Sequence, residues 1–428
     1  MQTPRFESRH GRQFAGHDRR GMQVLLFLAA LLVVKFWISG SSRTITFSFV
    51  AYGLVLIGLF GFIFYAKQRS KQQNTRGLNL VSNARLTSQL HRWTPFRTGI
   101  RLGGVRIPRR IECEHFLIAG SPGAGKSVLI RGMLKQIRKR KETAIIIDPD
   151  CEYVREFYDE ERGDAILNPL DLRCPFWTPW LEFRSEQYEI DVDAMVNSLV
   201  RGTVRNSSER FFRNSGRKVL SAVFSKITNH DDVRALADFM NRDLTNLHRD
   251  LEGTRAQSLF NPKAVPQASA IIGTAQEAVD AFYHLPNRDK TTREWSALEW
   301  SKQRRGWLFM PSTESGRAAT TAIQGVWLDT LVRHLMDADI GSDRVWIIVD
   351  ELAALGYQGR IAQLLARGRK RGLAVVVGFQ NVSQIRAIYD HEMATTMISM
   401  PTTKLILRID DPETAEWASR LIGGQQAD

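Results

Sequence analysis

Residues 115–127 read HFLIAGSPGAGKS, and this stretch decides the fold. From Gly120 to Ser127 it fits GxxxxGK[ST]; the apolar run before it predicts a buried strand, and VLIRGMLKQIRKR after it predicts an amphipathic helix. A glycine-rich turn between strand and helix lets backbone N–H groups converge on phosphate oxygens at a helix N-terminus, where the dipole also favours anions. Gly120, Ser121, Pro122, Gly123, Ala124, Gly125 and Val128 are therefore the expected phosphate cradle. Lys126 is expected to neutralise the β- and γ-phosphates of a bound nucleotide and Ser127 to ligate Mg²⁺.

Working outward, short apolar runs alternate with amphipathic stretches: TAIIIDPD (143–150), EYVREFY (152–158) and DAILNPL (164–170). The rhythm stops near Trp180 and resumes with GWLFMP (306–311), VWIIVD (345–350), AVVVGFQ (374–380) and TKLILRI (403–409). Runs apolar on both faces suit a parallel sheet covered on both sides, so the fold class is α/β. Residues 184–299 lack strand runs and carry helical spacing, as in Val192, Met195, Val196 and Leu199, which predicts an inserted all-α domain.

A phosphate loop needs an acid for the metal, and the run 345–349 ends in Asp350 and Glu351. Asp350 is expected in the Mg²⁺ shell and Glu351 beside the attacking water. The next strand ends at Gln380, whose amide either contacts the γ-phosphate or water, or satisfies local backbone. Before that strand stands Arg367-Gly-Arg369-Lys370-Arg371-Gly, either a solvated basic loop or one that lends an arginine to a neighbouring subunit's phosphate. Placed between these strands, it is expected at the edge of the sheet's C-terminal face. In the insertion, Arg205, Arg210, Phe211, Phe212, Arg213, Arg217 and Lys218 interleave basic and aromatic residues. They read either as a DNA-contacting path or as an ordinary amphipathic helix with the two phenylalanines in the core.

The net charge of +14 is an N-terminal property: residues 1–76 hold 11 Lys/Arg against 2 Asp/Glu, residues 77–111 add seven Arg and no acid, and the rest is slightly acidic. A nucleic-acid footprint spread over the whole chain is thus excluded. At 428 residues and 43 % hydrophobic content, disorder and a disulfide miniprotein are excluded too. Cys113, Cys151 and Cys174 form no CxxC pair, which reads as inert thiols in a reducing compartment without structural zinc. Residues 23–38 are apolar apart from Gln23 and Lys35, and residues 45–65 carry no charge, which predicts a two-span hairpin over about 21–39 and 45–65. Arginines and lysines flank the pair, whereas the short joint between the spans has only Arg43, so both termini are expected in the cytoplasm. An uncleaved hairpin fits better than a leader cleaved near Ser39-Gly40-Ser41.

The two-span N-terminus, GSPGAGKS, IIIDPD, ILNPLD, the helical insertion, IIVDEL and GRKRGLAVVVGFQN together resemble the type IV secretion coupling proteins of the TraD/TrwB type. The resemblance implies a RecA-like P-loop domain in two pieces, 113–183 and 300–428. It also implies the all-α insertion 184–299, a basic juxtamembrane connector at 77–112, and an N-terminal tail with hairpin over 1–76. It implies a hexameric inner-membrane ATPase with ATP and Mg²⁺ as cofactors, coupling a DNA–relaxase complex to a type IV secretion channel and driving single-stranded DNA in conjugation. On the same ground Lys126, Ser127, Asp350, Glu351 and Gln380 take the motor roles above, and Arg369 the inter-subunit arginine, with Arg371 its substitute. It further implies a continuation beyond Asp428. The rival readings are an FtsK- or HerA-like DNA pump, and a membrane receptor whose nucleotide site gates docking of secreted proteins.

Overall fold

The computed structural model describes residues 80–92, 99–202, 206–260, 264–291, 293–338, 343–357 and 359–423. The expected spans at 21–39 and 45–65 lie outside the described residues; among those described, no helix is long and apolar enough to cross a membrane. Leu80–Ile422 form one unit.

The first strands, β1 (Gly99–Leu102) and β2 (Val105–Pro108), pair as an antiparallel hairpin. Its two-residue turn, Gly103-Gly104, has φ of 51° and 84° at the two positions, the left-handed backbone a tight hairpin demands. Seven further strands follow: β3 (Phe116–Ala119), β4 (Thr143–Asp148), β5 (Ala165–Ile166), β6 (Leu308–Pro311), β7 (Val345–Val349), β8 (Leu373–Phe379) and β9 (Thr403–Ile406). They form one sheet in the order β5-β6-β4-β7-β8-β3-β9, with every pairing parallel. Because side chains alternate across a strand, each run serves two cores. Val345, Ile347 and Val349 face one core and Trp346 and Ile348 the other.

The second core is closed by the helix Lys126–Lys139, whose buried Ile130, Met133, Leu134 and Ile137 recur at helical spacing. Each such side chain contributes roughly 2 kcal/mol when fully buried. The first core continues without a break into the helical stretch between β5 and β6, which includes Tyr188–Leu199, Ser207–Phe224 and Val265–Val279. The helix Arg317–Asp337 joins sheet and insertion and buries residues on all sides. Buried Asp191 ties them further, accepting from Arg184 at 2.7 Å and from Arg333 at 2.6 Å.

The described part of the basic connector is folded onto the same body. Glu112, fully buried, accepts the Ile100 N–H at 2.7 Å and pairs with Arg140 at 2.9 Å and with Arg344. Arg109 pairs with Glu142 at 2.7 Å, and Arg101 exchanges two bonds with Gln136, its N–H donating at 2.7 Å.

Candidate nucleotide site

In this strand order β8 lies between β3 and β7. Parallel strands deliver their C-terminal ends to one edge of the sheet, so the turn Gly120–Ser127 after β3, Gln380 after β8 and Asp350-Glu351 after β7 emerge side by side. Gly378 permits that closeness: a Cβ there would stand 2.0 Å from the Asp350 carbonyl oxygen.

Gly123 and Gly125 have φ of 71° and 98°, which turns successive N–H groups inward before the helix begins at Lys126. Lys126 is buried, and its Nζ donates to the Gly120 carbonyl at 2.7 Å, closing the loop on itself. Ala124 and Pro122 complete the turn, and the side chain of Val128 is exposed. Ser121 is buried and faces the residues after β9: its N–H donates to the Arg408 carbonyl at 2.9 Å and its hydroxyl accepts the Asp410 N–H at 2.8 Å.

The two acids are poised and unpaired. Asp350 Oδ1 and both oxygens of Glu351 are buried without a hydrogen bond of ordinary geometry. Burial pushes Asp350 up to about 6, against the pull of the Tyr153 hydroxyl and the Lys126 charge. Burial likewise pushes Glu351 up to about 7, opposed by Lys126 and, more weakly, by the Ala353 N–H and the Gln380 amide. Orphaned carboxylate oxygens are costly unless a cation or phosphate-bound partner completes them, and this donor set fits Mg²⁺ held with phosphate oxygens. Among the described residues no group of three or more His, Cys, Asp or Glu could hold a metal unaided.

Sequence reasoning missed two residues here. Asp148, at the end of β4, accepts the N–H groups of Glu152, Tyr153 and Val154 at 2.9, 2.8 and 2.9 Å, and so sets the helix Glu152–Phe157. That helix presents Tyr153, fully buried, whose hydroxyl lies beside Asp350 and Ser127 without a hydrogen bond of ordinary geometry. Burial raises its pKa, and the nearby Asp350 charge adds to this, so the phenol stays protonated beside Asp350 and Ser127. The signal was IIIDPD, an acid ending a strand just before a helical pattern.

Arg369 requires a correction. Gly368–Arg371 form a 3₁₀ turn that enters β8 at Leu373, and residues that enter a parallel strand lie at the N-terminal edge of the sheet. Arg369 therefore does not reach the C-terminal face: β8 separates it from Gln380 by roughly 20 Å at about 3.3 Å per residue. It pairs there with Glu114 at 2.9 Å, and Arg371 donates to the Ala338 carbonyl at 3.0 Å. The insertion cluster divides as well. Arg213 and Arg217 bind carbonyls at the end of the helix Tyr188–Leu199, at Arg201 and at Val200. Phe212 packs on the core, Arg210, Phe211 and Lys218 are exposed, and Arg205 lies outside the described residues.

Two raised carboxylates make a stability statement with a definite sign. A folded pKa above the ordinary values of 3.8 and 4.5 stabilises the protein below those values, and that stabilisation is lost as pH rises through about 6 and 7. Without nucleotide, the double variant Asp350→Asn, Glu351→Gln is expected to gain on the native chain between pH 4.5 and 7.5, by on the order of 3 kcal/mol per carboxylate. Denaturant midpoints across that range check it; a constant difference would place the carboxylates in water.

The family model described as the type IV secretion-system coupling protein DNA-binding domain matches residues 99–428. The chain is 27 % identical over 370 residues to the coupling protein TraD of Escherichia coli, covering 84 % of this chain and 51 % of that protein. It is 24 % identical over 315 residues to a probable conjugal transfer protein TraG of Sinorhizobium fredii, covering 65 % and 48 %. The chain thus spans about half the length of the curated relatives it matches. Plasmid coupling protein TrwB in complex with a non-hydrolysable ATP analogue matches with a TM-score of 0.69 at 26 % identity, covering 78 % of this chain and 79 % of that one. TrwB in complex with ADP and Mg²⁺ matches with 0.68 at 27 %, covering 77 % of each. The described unit has the RecA-like α/β fold with a parallel sheet.

Proposed function

The chain belongs to the type IV secretion-system coupling proteins, and from that membership we propose that it is a ring-forming ATPase that couples a DNA–relaxase complex to a type IV secretion channel and drives single-stranded DNA toward it. One observation carries this reading: three adjacent strands bring a phosphate loop, two unpaired acids and a glutamine to one edge of the sheet. The apolar segments 21–39 and 45–65 support an inner-membrane hairpin with cytoplasmic ends. Within this reading 77–112 is the connector, 113–183 and 300–428 form the nucleotide-binding body, and 184–299 is the insertion. Exposed Arg210, Phe211 and Lys218 are its DNA-contact candidates.

The N–H groups of Gly123 and of residues 125–128 hold the phosphates of ATP, and Lys126 exchanges the Gly120 carbonyl for β- and γ-phosphate oxygens. Ser127 and Asp350 would hold Mg²⁺, which would supply positive charge to neutralise the phosphates. Glu351 takes a proton from the attacking water, and a pKa of about 7 suits a base that works at neutral pH. Gln380 orients that water or contacts the γ-phosphate. Arg369, remote from its own site, serves the phosphate of the adjacent subunit in the ring.

ATP hydrolysis by the full chain in detergent, with and without single-stranded oligonucleotide, tests the pump. Several-fold stimulation is expected; an assembled ring indifferent to DNA would favour the gated receptor. The arginine has its own test. Arg369→Ala and Lys126→Ala chains, each inactive alone, should regain hydrolysis when mixed, because a Lys126→Ala neighbour lends its arginine to an intact phosphate loop. Arg369→Lys should not replace Arg369, since an ammonium lacks the planar fork that grips two oxygens. Verified mixed rings without activity would remove Arg369 from the reaction.

A further inference from the structure

The segment after β9 does not leave the sheet. The Leu407 N–H donates to the Ala119 carbonyl at 2.9 Å, and Arg408 donates from Nη2 to the Pro122 carbonyl at 3.0 Å. With the two bonds to Ser121 already described, residues 407–410 strap the start of the phosphate loop. Gly120 is pressed against the strap, for a Cβ there would stand 3.0 Å from the Leu407 Cβ.

The strap then crosses to the other side of the site. Asp411 Oδ2 accepts both the Thr414 N–H at 2.8 Å and the Thr414 hydroxyl at 2.6 Å. Thr414 is fully buried at the start of the helix Pro412–Ile422. Its Oγ1 accepts the N–H of Val382 at 3.0 Å, two residues past Gln380. Val382 begins the helix Val382–Tyr389, and the capping residue Asn381 makes no side-chain bond to it. The first N–H groups of a helix lack partners within it, so this one is satisfied by a hydroxyl 32 residues further along rather than by its own cap. On the other side of Gln380, the Phe379 ring meets Trp417 of the same helix edge-on at 5.6 Å. Glu413 adds an ion pair to Arg386. Residues 407–417 thus grip the phosphate loop at one end and both flanks of Gln380 at the other.

We propose that Thr414 is a positioning residue for hydrolysis, and that the strap from Leu407 to Thr414 couples occupancy of the phosphate loop to the placement of Gln380. This rests on the reading of Gln380 as the contact to water or γ-phosphate. The coupling follows from what each end holds: phosphates that enter the loop press on Ser121, Ser121 is bonded to Asp410, and the next residue fixes the hydroxyl that holds the Gln380 turn.

The test uses the full chain in detergent, with ATP as substrate. Thr414→Val keeps the shape and removes the hydroxyl; it should lower kcat about tenfold with KM for ATP within about twofold, since Gln380 acts in the transition state more than in binding. Thr414→Ser should restore kcat to within about twofold. In a Gln380→Ala background Thr414→Val should cost nothing further, because it acts only through Gln380. Thr414→Val lowers thermal stability in either case, because it leaves the buried Val382 N–H unsatisfied; a merely structural role would add its kcat loss to that of Gln380→Ala, which would overturn the proposal. Trp417 emission, taken as the difference between the native chain and Trp417→Phe, should distinguish the nucleotide-free chain from the chain with a non-hydrolysable ATP analogue and cease to do so in Thr414→Val. Identical emission with and without the analogue in the native chain would overturn the coupling. If Thr414→Val does not fold, Asp411→Asn loosens the same hydroxyl from the surface and should give the same kcat loss. A Gln380→Ala chain with unchanged kcat would sink the reading of Gln380 and the proposal together; a defective Gln380→Ala with a silent Thr414→Val would sink the proposal alone.

Discussion

Lys126→Ala is expected to lower ATP turnover about a thousandfold while the described unit keeps its fold. The side chain is buried, yet its one hydrogen bond goes to the Gly120 carbonyl, a neutral acceptor that the loop's own N–H groups can rearrange around. Alanine is also the best helix former, so the helix Lys126–Lys139 loses nothing at its first position. What disappears is a positive charge at the point where negative charge spreads over the γ-phosphate, a loss of roughly 4 kcal/mol of transition-state stabilisation. A second effect adds to it. The Lys126 charge now favours the ionised forms of Asp350 and Glu351, so its removal lifts both pKa values further from their ordinary range. At neutral pH the variant therefore lacks a ready base as well as a phosphate clamp. Steady-state hydrolysis beside thermal unfolding without nucleotide checks this. Turnover within tenfold of the native chain, with an unchanged melting midpoint, would sink the assignment of Lys126.

How much of this was legible beforehand depends on whether the cause was local. The strands of the large sheet are short apolar runs whose alternate residues serve different cores, and such runs announce themselves without knowledge of their neighbours. The phosphate loop is local too, since Gly123 and Gly125 adopt left-handed backbone within a single turn. The order of strands is not local: that β8 separates β3 from β7, and so seats Gln380 between loop and acids, is a property of the assembled sheet. The arginines of the connector show the same limit. Charge counting sees unpaired positive charge, but Arg109 pairs with Glu142, which lies beyond the phosphate loop and its helix. Thr414 reads as an ordinary residue near a helix start, because its partner Val382 is distant in sequence. The misplacement of Arg369 had a different cause. The rule that loops entering parallel strands lie at the opposite edge from loops leaving them was available from the run GRKRGLAVVVGFQ alone, which places the arginine before the strand and Gln380 after it.

Glu351→Gln is expected to hold ATP and stall before hydrolysis, with turnover down by about two to three powers of ten. The amide has the size of the carboxylate, so the loop and Asp350 keep their places, and binding is not impaired by a lost charge that would have repelled the phosphates. In the nucleotide-free protein the substitution even removes a cost, because a carboxylate with a pKa of about 7 is one that burial holds against its charge. What the amide cannot do is accept a proton from water. The two chains should therefore differ in pH dependence as well as in rate. For the native chain kcat/KM, which reports groups in the free enzyme, should rise with pH through about 7 as Glu351 ionises and then level off. For kcat the midpoint should lie lower, since a bound cation favours the ionised form. Glu351→Gln should show neither rise. Retention of radiolabelled ATP after gel filtration, together with single-turnover phosphate release from pH 5.5 to 8.5, separates binding from chemistry. If Glu351→Gln turned over normally and kept the native pH profile, the proton would be going elsewhere, and Asp350, the other raised carboxylate at the site, would have to be the base.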